Sequence, residues 1–154
     1  MKSFKQLKQD IVYEAIVNFK RSLGIDRENM PQVPEKEYPH FFQEMKKMNI
    51  KVTKKRSKVG DLFPTQKAYN DIAVNLLVKQ RPSKLHKALL ISKDNYLLDG
   101  HHRWAALKEI DPNQTIEVYE IGADVMAALE ILKNYSRVEF RPSGLDLSYK
   151  KFAA

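Results

Sequence analysis

Five consecutive residues, Asp99-Gly100-His101-His102-Arg103, put a carboxylate, a turn, two imidazoles and a guanidinium at one junction. The apolar Leu97-Leu98 leads into them, and Trp104-Ala105-Ala106-Leu107 resumes a small, apolar helix afterwards. Gly100 permits a sharp bend and the close approach of another group. Residues 101 to 103 then fall on a first helical turn, where unpaired N–H groups and the helix dipole favour an anion. Arg103 adds a planar fork of donors that matches phosphate. Taken singly, each part has a plainer use. Asp-Gly marks a turn, a histidine pair satisfies structural hydrogen bonds, and an arginine at a helix start pairs with a carboxylate. Their concentration at one bounded junction predicts a site for phosphate chemistry.

Three alternative functions fit these residues. In the first, a nucleoside triphosphate (ATP or CTP) binds with Mg²⁺. Asp99 is then the metal ligand or the base, and Asp99, His101 and His102 form the catalytic group. Gly100, His101, His102 and Arg103 hold the phosphates, with Gln66 and Lys67 supplying further contacts. In the second, Asp99 and one histidine hold a metal whose bound water attacks a DNA or RNA phosphodiester. A second carboxylate is then needed, and Asp61, Asp71 and Asp94 are the candidates. In the third, the protein binds nucleic acid without catalysis, through the basic run Lys54, Lys55, Arg56 and Lys58. His40 and His86 are distant in sequence and read as structural or surface residues.

Residues 99–103 resemble the ParB/sulfiredoxin superfamily, in which a strand, a glycine turn and a basic motif at a helix start bind nucleotide phosphates. The branch carrying Asp-Gly-His-His-Arg includes free-serine kinases. The resemblance covers about residues 50 to 121 and takes in Leu62-Phe63-Pro64-Thr65-Gln66, similar to the family's Leu-x-Pro-x-Gln element. It implies a nucleotide partner and phosphoryl transfer or triphosphate hydrolysis. It also implies that the basic strand lies near the glycine turn, and it is compatible with a phage or plasmid origin. The chain departs from the pattern in three places. It has no cysteine, which excludes the thiolate chemistry of sulfiredoxins. His101 stands where chromosome-partitioning members carry an acid. Gln66 stands near the serine kinases' catalytic glutamate, and an amide is no general base, so that role falls to Asp99.

The composition sets broad bounds. At 154 residues with 43% hydrophobic content, one compact domain is expected. The charge of +8 favours an anionic partner. Absence of cysteine excludes a disulfide scaffold and a thiolate metal site. No apolar run reaches the roughly 18–20 residues of a membrane span, and residues 1–6 lack a signal-peptide core, so a cytoplasmic protein is expected.

The elements that position the motif follow from periodicity. Apolar residues at helical spacing from Phe4 to Phe19, ended by Gly24, predict a helix within an N-terminal extension, residues 1–49. The core is expected over 50–135 and a tail over 136–154. Pro31, Pro34 and Pro39 mark an extended connection, followed by a short helix near 41–48. Ile50 to Val59 reads as a lysine-rich strand. Pro64-Thr65 reads as a helix start with Thr65 as N-cap. Strands at 88–92 and 96–98 around a turn at 93–95 deliver the chain into Asp99. A helix over 101–109, a strand over 115–121 and a helix over 124–132 complete an α+β fold: a small mixed β-sheet flanked by helices.

Overall fold

A computed structural model describes Ser3 and residues 15–80, 85 and 87–141 of the chain. In chain order its elements are β1 (Ile16–Asn18), β2 (Pro31–Gln32), α1 (Tyr38–Lys47), β3 (Val52–Lys58), β4 (Phe63–Pro64), β5 (Ala68–Asn70), α2 (Asp71–Gln80), β6 (Leu89–Ser92), β7 (Tyr96–Asp99), α3 (His101–Ile110), β8 (Thr115–Ile121), α4 (Val125–Lys133) and β9 (Glu139–Phe140). Five strands form a mixed sheet in the order β3-β8-β6-β7-β4. The β3/β8 and β6/β7 pairs are antiparallel, and β8/β6 and β7/β4 are parallel. The α+β class and the mixed sheet between helices are as expected.

The sheet is covered on both faces. Leu90, Leu98 and Ile121 pack with Phe41 and Met45 of α1 and Leu129 and Leu132 of α4. Leu89, Ile91, Leu97, Ile116 and Val118 point the other way, toward Val74 and Leu77 of α2 and Trp104 and Leu107 of α3. Successive side chains of a strand alternate between faces, so a central strand between two helical layers must be apolar throughout. β6 has all four residues buried; Leu89, Leu90 and Ile91 are apolar, and the one polar residue, Ser92, donates its hydroxyl to Asp94. The indole of Trp104 is 2% exposed and donates its Nε1–H to the Val59 carbonyl at 2.9 Å.

Two small antiparallel pairs lie outside the main sheet: β1 with β5 and β2 with β9. Each joins segments remote in sequence. Among the described residues, no helix is long and apolar enough to cross a membrane.

The structure differs from the sequence-based expectations in two elements. The helix predicted through Phe19 is a strand at Ile16–Asn18, because the β-branched Ile16-Val17 finds a partner in β5; the part predicted over residues 4–14 lies outside the described residues. Nor does a helix begin at Thr65. The backbone stays extended through β5, and α2 starts at Asp71. Its cap is Asn70, whose Oδ1 accepts from the Ala73 N–H at 3.2 Å. The Thr65 hydroxyl instead donates to the Leu97 carbonyl at 2.7 Å.

Candidate functional site

Strand β7 ends at Asp99, and Gly100 turns the chain with φ +86° into α3. A Cβ at this position would meet Leu89 Cδ2 at 2.5 Å and an Arg103 guanidinium nitrogen at 3.0 Å. Glycine is therefore required twice over, by conformation and by space. The N-cap of α3 is Gly100, which makes no side-chain capping hydrogen bond.

Asp99 is held at both oxygens. Oδ1 accepts from the Gly100 N–H at 2.8 Å and Oδ2 from the Tyr38 hydroxyl at 3.0 Å. Burial pushes its carboxyl above the usual carboxylate range, against the opposing pull of Arg103, Tyr38 and Arg141. The Tyr38 phenol is raised well above its ordinary value by burial and by the adjacent Asp99.

The two histidines turn inward at Nε2. The ring of His101 accepts there from the backbone N–H groups of Thr65 and Gln66, both at 3.1 Å. His102 Nε2 accepts from the Asn70 N–H at 3.1 Å. A backbone N–H only donates, so both Nε2 atoms are unprotonated and each neutral ring carries its hydrogen on Nδ1. Burial pulls both imidazoles down to about 3, with added repulsion from Arg27. The histidine pair thus staples the 65–70 segment to the start of α3 with neutral rings, and an imidazolium charge is not available near pH 7. His101 is 4% exposed, and its Nδ1–H has no partner among the described residues.

Around the turn lies a cavity of about 320 Å³. Asp99, Gly100, His101, His102, Arg103 and Gln66 line it, as do Arg27, Gln32, Glu35, Leu77, Lys87 and Arg141. Three arginines and a lysine face two carboxylates there, so the lining is net cationic. Lys87 pairs with Glu35 at 3.1 Å, and Arg103 donates to the Lys87 carbonyl at 3.1 Å. Arg141 follows β9, which the β2 pairing brings to the Gln32 side of the cavity. No motif or spacing marks Arg27, Gln32, Glu35, Lys87 or Arg141 in the sequence; only their types, three cations and a carboxylate with an amide, fit the site.

Several expected participants are elsewhere. Lys67 is exposed and lines a neighbouring cavity, not that of Asp99. Gln66 lines the site, but its Nε2 donates to the Ala68 carbonyl at 2.5 Å. The basic strand β3 is not beside the glycine turn. β8 and β6 separate it from β7, a span of roughly 14 Å at ordinary strand spacing. Its charge is also largely met. Lys54 pairs with Glu117 at 3.4 Å, Lys55 with Glu120 at 2.6 Å, and Arg56 donates to Thr115; Lys58 is exposed. Asp61, Asp71 and Asp94 do not line the Asp99 cavity. Asp94 instead accepts from Ser92 and from the Val125 N–H at the start of α4. His40 contacts Tyr135 and Glu44, away from the site, and His86 lies outside the described residues.

No protein-family model, no curated protein and no solved structure matches this chain.

Proposed function

We propose that the cavity at the β7–α3 turn binds the phosphates of a nucleoside triphosphate with Mg²⁺ and supports transfer or hydrolysis of the terminal phosphoryl group. The observation that carries this reading is convergence. The start of α3, the neutral ring of His101 and a cationic lining of three arginines and a lysine border one space. Such donors match the oxygens of a polyanion.

The residues present fit Mg²⁺ in one way. Among the described residues no group of three His, Cys, Asp or Glu could hold a metal. Mg²⁺, however, commonly takes only one or two carboxylates and completes its shell with phosphate oxygens and water. Asp99 is the carboxylate for that role, and the metal when bound would neutralise charge on the phosphates. Arg103 and the α3 amides hold and orient the phosphate chain. His101, fixed as a neutral donor, adds a directed hydrogen bond without adding charge. Glu35 is the other carboxylate lining the cavity among the described residues, and it is the candidate to take the proton of the attacking water or hydroxyl.

Thermal unfolding in millimolar ATP or CTP with Mg²⁺ tests the reading. Binding to the folded state alone raises the midpoint by a few degrees when ligand far exceeds Kd. Arg103→Ala should weaken nucleotide binding by about 10- to 100-fold, the loss expected for a charge-assisted hydrogen bond. Asp99→Asn should abolish Mg²⁺-dependent phosphate release while the protein stays folded. Failure of every triphosphate to stabilise the protein would refute the proposal.

A further inference from the structure

We infer that a second cavity, beside the first, receives the nucleoside end of the nucleotide; this rests on the phosphate reading above. The second cavity has a volume of about 230 Å³ and shares Arg27, Gln66 and His102 with the first as a common wall. Its character differs. Arg27 and Lys67 are balanced there by Asp26 and Glu28, so the charge is even, and its lining is the more apolar of the two. A cationic compartment joined to a neutral, more apolar one fits a molecule with a polyanionic end and a flat, uncharged end.

A donor left without a protein acceptor makes the case specific. Asn70 lines only the second cavity and is 6% exposed. Its Oδ1 is committed to capping α2 through the Ala73 N–H, which fixes the orientation of the amide. Nδ2 then has no partner among the described residues, in a residue that lines the cavity. A base carbonyl or ring nitrogen in the cavity would supply this amide donor with an acceptor. The half-buried ring of Tyr69 lines the same cavity and offers a flat apolar surface, while Asp26 can accept from sugar hydroxyls or an exocyclic amine.

The test compares ATP, GTP, CTP and UTP with inorganic tripolyphosphate, each with Mg²⁺, by calorimetric titration of the full chain. At least one nucleotide should bind ten times or more tighter than tripolyphosphate. Asn70→Asp keeps the capping oxygen and removes the donor. Asn18→Trp places a large ring at an exposed β1 position that lines only the second cavity. Either substitution should bring the nucleotide's affinity down to that of tripolyphosphate and leave tripolyphosphate binding unchanged. Because Asn18 is exposed, its variant reports even if Asn70→Asp unfolds. If nucleotides bind no tighter than tripolyphosphate, or if both variants bind nucleotide normally, the inference falls and the phosphate site stands. If neither tripolyphosphate nor any nucleotide binds, the phosphate reading falls and takes the inference with it.

Discussion

At His101 one ring works in two directions. Nε2 accepts from two buried backbone N–H groups, and that commitment forces the proton onto Nδ1 of a ring that lines the cavity. The roles can be separated by substitution. His101→Phe keeps a ring but orphans the N–H groups of Thr65 and Gln66, at about 2–5 kcal/mol for the pair. His101→Gln places an amide oxygen near the position of Nε2 and should recover at least half of that stability. The glutamine variant has no counterpart of Nδ1–H, so its nucleotide binding should remain impaired. Urea titration checks the first expectation and nucleotide titration the second. Equal stability of the Phe and Gln variants would show that the backbone contacts contribute nothing. Part of this is legible from residue types: a histidine pair signals either structural hydrogen bonds or a ligand, and here the Nε2 atoms serve the first use. Which nitrogen does what depends on where residues 65–70 run, and nothing in the motif carries that information.

At the scale of elements, the turn between β7 and α3 is the joint on which the site depends. Gly100→Ala must adopt a left-handed conformation, costing about 1–2 kcal/mol, and must displace the buried Leu89 side chain, costing about 1–3 more. Gly24 is a built-in control. It has φ +74° but nothing within 4 Å of where a Cβ would stand, so Gly24→Ala should show only the conformational part. Equal losses in the two variants, measured by urea unfolding, would mean that Leu89 gives way freely. This turn is readable in the sequence because its signals are contiguous: an apolar strand, Asp-Gly, then a helix-forming run. The same holds for β6, β7, β8 and α4, whose patterns are set by their own two-sided or one-sided burial. Segments that depend on distant partners are not legible in this way. Ile16–Asn18 has apolar residues that suit either a helix or a strand, and pairing with β5 decides for the strand. Thr65 has the chemistry of a cap, but the histidines of α3 hold its neighbourhood extended. Arg27, Glu35 and Arg141 reach the cavity through the fold, as the β2–β9 pairing does for Arg141, and no spacing rule links them.

Across the whole molecule, the two neutral histidines make stability depend on pH in a direction that can be worked out. Their imidazoles sit at about 3 when folded, against an ordinary value near 6.5. Between those limits the unfolded chain binds protons that the folded chain refuses. Stability is therefore complete above about pH 6.5 and is lost as pH falls toward 3. Each ring contributes a slope of up to about 1.4 kcal/mol per pH unit within that window. Asp99 acts with the opposite sign, because its raised carboxyl takes up a proton in the folded state before it does so in the unfolded one. One carboxyl offsets at most one imidazole, so at least one histidine's slope survives. The urea midpoint of the protein in EDTA should therefore drop steadily from pH 6.5 to 4.5, and His101→Gln with His102→Gln should flatten the profile. A wild-type midpoint that holds constant over that range would mean the rings protonate without leaving their places, and the staple between α3 and the 65–70 segment would then not require neutral imidazoles.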